Sequence, residues 1–206
     1  MVKPDNTQLN EEMWDSRAKM YDRGFGFARW SQKKLVSFLE LKGEERLLDL
    51  ACGTGWSVIY AAKIKRNGEY YGVDLSSNVI EQAKRNSGNH DSVHFSKANA
   101  EELPFEHDFF DYVICANAFH HFSDPAKVVK EGHRVLKSRG EIHILDGSAD
   151  TLNMRLVDRL LSKIERGHVK MYSTKEYQAF FRGAGFLYNG SKSIFGPFAK
   201  IHVGQK

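Results

Sequence analysis

Residues Leu47 to Val58, reading LLDLACGTGWSV, constrain this chain more than any other stretch. The hydrophobic residues around Asp49 suit a strand buried on both faces, and the Gly53-Thr54-Gly55 turn leads into an apolar-periodic run from Val58 to Ile64 that predicts a helix. Gly53 and Gly55 lack a Cβ, so the backbone can turn tightly and let a ligand approach beside the free amides of the helix start. Asp49 closes an otherwise apolar strand, where a carboxylate is too costly to bury unless it meets a donor or a cation. Strand, glycine turn and helix in this order predict a small-molecule site.

The chain of 206 residues is long enough for one large domain with its own core. Its opening, MVKPDNTQLNEEMW, lacks the apolar centre of a secretory signal, and no run approaches the ~18 apolar residues of a membrane span, so a cytoplasmic protein is expected. Cys52 and Cys115 match neither a disulfide framework nor a metal pattern and read as buried thiols; no metal site is predicted. From Asp150 onward there are 10 Lys or Arg against 4 Asp or Glu, which places the basic surplus at the C-terminal end. Such a balance could attract an anionic substrate, a phospholipid surface or a nucleic acid, but scattered surface lysines of this density are ordinary, and a solvated surface is the expectation.

Asn10 to Tyr21 has helical spacing broken by Gly24 and Gly26, and Trp30 to Leu41 reads as an amphipathic helix. EYYGVDLSS supplies a second strand ending at Asp74, where a carboxylate can accept two hydrogen bonds from a ribose diol; Ser76 or Ser77 caps the next helix. Val93 to Lys97 is the third strand and Tyr112 to Cys115 the fourth. The loop from Ala116 to Phe122 is expected to face the glycine turn. A helix from Pro125 to Val135 and a strand from Glu141 to Asp146 follow. Beyond them Leu152, Leu156, Val157, Leu160, Leu161 and Ile164 share one helix face, with Arg155, Arg159, Lys163 and Arg166 elsewhere around it, which reads as a solvated basic face. A further helix capped by Ser173 or Thr174 and a hairpin bending at Gly196-Pro197 close the chain, and His168, Lys170 and Tyr172 lie where substrate contacts vary most. Alternating strands and helices predict an α/β, doubly wound sheet with helices on both faces. A nicotinamide site fits poorly, because the third glycine of the dinucleotide fingerprint is Val58 here.

The pattern Asp49-x-Ala51-x-Gly53-x-Gly55 resembles motif I of class I S-adenosylmethionine-dependent methyltransferases, which usually carry glycine in place of Ala51, a small departure. The resemblance runs from about Trp14 to Phe186 and is greatest to the small-molecule branch that includes the ubiquinone and menaquinone C-methyltransferases. It implies a Rossmann-like, seven-stranded, mostly parallel sheet of order 3-2-1-4-5-7-6 with strand 7 antiparallel. It also implies S-adenosylmethionine as cofactor and S-adenosylhomocysteine as product. WDSRAKMYD resembles the branch's opening lid, with Tyr21 in place of its tyrosine near the methionine moiety. Asn99 stands where the family has the acid that accepts the adenine amino group, Ala100 supplies the amide facing the ring, and Leu75, Glu101 and Asn117 complete the expected cofactor contacts. Asn117, Phe119, His120 and His121 match the acceptor-side loop, and a histidine there could take a proton near neutral pH.

These expectations divide a single domain into an N-terminal lid segment (1–29), a cofactor-binding core (30–149) and substrate-side helices with the closing hairpin (150–206). The predicted partner is a small-molecule methyl acceptor rather than a nucleic acid. ANAF follows the fourth strand instead of an N-P-P-Y-type tetrapeptide, which weighs against RNA or protein methylation. A nucleoside-binding module without turnover remains an alternative.

Overall fold

The computed structural model describes residues 11–15, 26–164 and 167–206. Its centre is a seven-stranded sheet of order β3-β2-β1-β4-β5-β7-β6, built from β1 (Arg46–Leu50), β2 (Glu69–Asp74), β3 (Val93–Lys97), β4 (Phe110–Ala116), β5 (Leu136–Gly147), β6 (Leu187–Phe195) and β7 (Ala199–Gln205). The first five strands pair in parallel, and β7 runs antiparallel to both β5 and β6. The expected strand order and the single reversed strand are therefore present. Leu47, Leu48 and Leu50 are fully buried because β1 lies at the middle of the sheet, with one apolar layer around Leu47, Ile59 and Ile114 and the other around Leu48, Val113 and Ile142.

Helix α1 (Gly26–Ser37) precedes β1, and α2 (Trp56–Ile64), α3 (Ser77–Ser87), α4 (Pro125–Val135), α5 (Leu152–Ile164) and α6 (Thr174–Gly183) lie between strands. Their starts follow local capping chemistry. Ser76 Oγ accepts the Val79 amide at 3.1 Å, Asp124 caps α4 ahead of Pro125, and Ser173 forms a reciprocal capping box with Glu176. Of the paired alternatives, Ser76 and Ser173 are the caps.

Several boundaries differ from those expected. α1 begins four residues earlier than Trp30 and stops at Ser37, where Phe38 and Leu39 donate back to Leu35 and Val36 in tightened bonds. α2 starts immediately after Gly55. β5 begins at Leu136 rather than Glu141, because Leu136 pairs with Phe110 and the ladder continues past an irregularity between Phe110 and Tyr112. Arg139 in that interval has a φ of 67°.

The sheet order reverses between β1 and β4, so the carboxyl ends of β1, β2 and β4 open a crevice there. Residues 11–15 are helical, and Asp15 ties them to the start of α3, bonding to the Ser76 hydroxyl and accepting the Asn78 amide at 3.2 Å.

Candidate active site

A cavity of about 790 Å³, part of it open to solvent, occupies this crevice. Ala51 and Gly53 from the turn after β1, Asp74 and Leu75 from the end of β2, Asn99 to Glu101 after β3, and Asn117 and His121 after β4 all line it. Chemistry-bearing positions scattered over seventy residues of sequence thus meet at one wall.

The turn after β1 is held by its neighbour strand. Gly53 has a φ of 56° and its amide donates to Asp74 Oδ2 at 3.0 Å, while the Ser76 amide donates to Oδ1 at 3.0 Å. Burial raises the pKa of Asp74, and the two amides moderate that rise. Asn99 Oδ1 accepts the Glu101 amide at 2.9 Å, which leaves one lone pair of that oxygen and the amide nitrogen for a ligand. Glu131 and Arg134 of α4 hold this loop from behind by bonding the backbone at Leu103 and Phe105. Asn117, with a φ of 56°, donates from Nδ2 to Ser31 Oγ at 3.0 Å and so ties the β4 loop to α1.

Two predicted cofactor residues do not line the cavity. Gly55 caps α2 with a φ of 85°, and a Cβ there would stand 2.5 Å from Phe95 Cζ. It serves helix packing against β3. Asp49 lies in β1 opposite Gly72, 1% exposed, and among the described residues neither carboxylate oxygen has a hydrogen-bond partner. Burial lifts its pKa to about 8, with Asp74 adding to the rise; the Ser57 hydroxyl moderates it but forms no hydrogen bond with it.

The two predicted histidines separate in role. His121 faces the cavity beside Trp14, whose ring meets it edge-on at 5.3 Å, and its Nδ1 donates to the Gly167 carbonyl at 3.0 Å. Burial, then the adjacent His120, pushes its pKa down to about 3, so the ring is neutral at physiological pH. His120 sits behind it, with ring centroids 4.0 Å apart, and its Nδ1 meets the Asp146 carboxylate at 2.8 and 3.0 Å. Burial alone would raise the Asp146 pKa, but His120 and the amides of Gly147 and His120 hold it below the usual range. His168, Lys170 and Tyr172 pair with Asp158, Glu176 and the Ser148 backbone, and none lines the cavity. Tyr21 and Gly24 lie outside the described residues.

The Methyltransferase domain family matches residues 48–144, which span the glycine turn through β5. Demethylmenaquinone methyltransferase of Staphylococcus aureus is 26% identical over 227 residues, covering 98% of this chain and 94% of the relative. The chain is an enzyme of S-adenosylmethionine-dependent methyl transfer. Among solved structures, a SAM-dependent methyltransferase from Aquifex aeolicus superposes with a TM-score of 0.73 at 20% identity, over 93% of this chain and 97% of that one. The cyclase SpnF superposes more fully, with a TM-score of 0.82 at 18% identity over 97% and 96%. Likeness at that level shows the fold alone.

The methyltransferase's own residues fit its family cofactor. A buried carboxylate with two orphaned oxygens suits an ammonium, and Gly53 beside Asp74 at a strand end suits a nucleoside. Among the described residues no cluster of three His, Cys, Asp or Glu side chains is arranged to hold a metal. Sequence reasoning passed over Asp146, although it carries the signal that singled out Asp49, a carboxylate closing an apolar strand. It also passed over Ala98, Ala118, Phe122 and Ser123, whose side chains have no distinctive chemistry and reach the cavity only through loop geometry.

Ala51 is a larger departure than its size suggests, because its φ is 53°, in the left-handed region that favours glycine. Ala51→Gly is expected to raise stability by ~0.5 to 1 kcal/mol, since relief of the left-handed penalty exceeds the added freedom of the unfolded chain. Thermal melting should then rise by about 1 to 3 °C. A lower melting temperature would show that the turn absorbs the alanine without strain.

Proposed function

We propose that this methyltransferase acts on a small quinol-type aromatic acceptor, at a ring carbon made nucleophilic by loss of a neighbouring hydroxyl proton. The observation that carries the reading is the His120–Asp146 pair set directly behind His121 at the cavity wall. The name of the Staphylococcus aureus relative, which spans nearly the whole chain, supports the same acceptor class.

Bound S-adenosylmethionine supplies an electrophilic methyl group on a cationic sulfur and leaves as S-adenosylhomocysteine. Asp49, buried off the cavity wall, would favour the ammonium of its amino-acid end through its charge rather than by lining the cavity, and Asp74 would accept from the ribose hydroxyls while its oxygens stay fixed by Gly53 and Ser76. Asn99 and the Ala100 amide would face the adenine. His121, kept neutral by burial, can only orient an acceptor hydroxyl; a ring with a pKa near 3 does not retain a proton. Proton removal is assigned to the His120–Asp146 pair, reached from the cavity through a water because His120 itself does not line it. The His120 Nδ1 meets the Asp146 carboxylate, which orients the ring and stabilises the imidazolium that proton uptake would form. Trp14 and residues 11–15 close the cavity's edge and limit water there. Positioning and desolvation, with one proton acceptor, suffice for this transfer.

The test is methyl transfer from labelled cofactor to reduced dihydroxynaphthalene, with catechol, aniline and thiol acceptors in parallel. Carbon-methylated naphthol products are expected, and Asp146→Asn should lower turnover about 100-fold or more and shift its pH profile while S-adenosylhomocysteine affinity is retained. Turnover of amines or thiols without any quinol product would overturn the acceptor class. Binding of NAD with no response to S-adenosylhomocysteine would contradict the cofactor assignment.

A further inference from the structure

An amphipathic helix of a globular protein ordinarily turns its apolar face inward. α5 does the reverse. Met154 is its buried residue and Leu161 is partly covered, whereas Leu152, Leu156, Leu160 and Ile164, at every fourth position, form a ladder that is 58 to 71% exposed. Arg155, Arg159 and Lys163 each precede a rung of that ladder by one residue, so the cations flank the apolar strip along one edge. The helix's single acid is turned the other way, where Asp158 Oδ1 accepts the Met171 amide and pairs with His168, both at 2.7 Å. The exposed side of α5 therefore combines an apolar strip with a row of three exposed cations.

A second apolar surface adjoins it. Phe27, Trp30, Phe195 and Phe198 form a chain of ring contacts at 5.3 to 5.7 Å, and all four are 44 to 51% exposed. Phe198 sits at the turn of the β6–β7 hairpin, where its carbonyl accepts the Ser148 amide at 3.0 Å, and Arg155 of α5 bonds the neighbouring Ala149 carbonyl at 3.0 Å. Both surfaces thus spring from the carboxyl end of β5, the rim on which the active-site cavity opens.

We propose that α5 and the adjoining aromatic tip dock this methyltransferase onto an anionic lipid bilayer. The ladder would lie at the acyl boundary, the arginines and lysine would reach anionic headgroups, and the exposed rings suit the interfacial zone. A bilayer accounts for the positive edge, which a second copy of the same basic strip would repel. The inference goes beyond the acceptor assignment and stands independently of it, because it rests on a surface outside the cavity.

The test uses the full chain and sedimentation with vesicles of phosphatidylglycerol and phosphatidylcholine, or phosphatidylcholine alone. Binding is expected to the anionic vesicles, to weaken as salt is raised, and to be accompanied by a blue shift of Trp30 fluorescence that the Trp30→Phe protein identifies. Leu156→Glu with Leu160→Glu should reduce binding at least tenfold without lowering the melting temperature, because both side chains are already in solvent. Phe195→Ser with Phe198→Ser should reduce it by a smaller factor. Absence of vesicle binding by the folded wild-type chain would overturn the proposal, as would a dimer in sedimentation velocity that the Leu156→Glu and Leu160→Glu protein abolishes while vesicles are ignored.

Discussion

Asp49→Asn is expected to leave the ligand-free methyltransferase more stable at neutral pH and to weaken cofactor binding by at least 100-fold. The carboxyl group is 1% exposed without a hydrogen bond among the described residues, and its pKa is lifted to about 8 by burial first and Asp74 second. In the unfolded chain the same group ionises near pH ~4. Between those two values the unfolded form has lost a proton that the folded form keeps, so rising pH favours unfolding throughout the interval and the loss is complete above about pH 8. At ~1.4 kcal/mol per pH unit the penalty reaches several kcal/mol near neutrality, and an asparagine, itself a buried amide costing ~1 to 3 kcal/mol, would recover about 1 to 3 of it. Urea midpoints at pH 5, 7 and 8.5 provide the measurement, and the advantage of the variant should grow with pH. The wild-type protein should also release a proton on binding S-adenosylhomocysteine at pH 7, seen as a buffer-dependent enthalpy, because an ammonium favours the ionised carboxylate. Loss of a buried charged contact is worth ~3 kcal/mol, about 100-fold in affinity. A variant with wild-type stability at every pH and unchanged affinity would remove Asp49 from the site.

Gly55→Ala is expected to cost ~2 to 4 kcal/mol of stability, through backbone and packing together. The residue's φ of 85° is unfavourable for alanine, and the new Cβ would stand 2.5 and 2.9 Å from two atoms of the Phe95 ring and 3.3 Å from Ala83 Cβ. Phe95 is itself a core residue with little room to shift. Phe95→Leu in the alanine background removes the collision without removing the backbone strain, so the double variant should be less destabilised than the two single losses added together. The effect should appear in the urea midpoint rather than in the cofactor affinity of the folded protein, since Gly55 does not line the cavity. An unchanged midpoint with lost affinity would show instead that a ligand presses against this glycine.

Much of the scaffold was legible because it depends on local order. The apolar strand around Asp49, the glycine turn and the alternating helices identify a doubly wound sheet, and caps such as Asp124-Pro125 locate helix starts through chemistry confined to a few residues. Gly53 and Asp74 followed from the turn and strand-end chemistry, and Asn99 and Asn117 from the family resemblance; all four line one cavity. The β5 boundary was not legible, because Leu136 belongs to the strand only through its pairing with Phe110, a partner far along the chain.

The sequence by itself therefore determined the class of fold, which periodicity and glycine placement carry, and it put Gly53 and Asp74 at adjoining strand ends. Which glycine faces the cavity and which packs a helix was decided only in three dimensions, by the position of Phe95 on a neighbouring strand. The same holds for the histidines: His120 and His121 are adjacent in sequence, and only the placement of Asp146 and Gly167 gives one a carboxylate and the other a carbonyl. For α5 the apolar ladder is plain in the sequence, but its direction is not. Periodicity defines a face; the inward anchoring of Met154 and Asp158 decided that this face meets solvent.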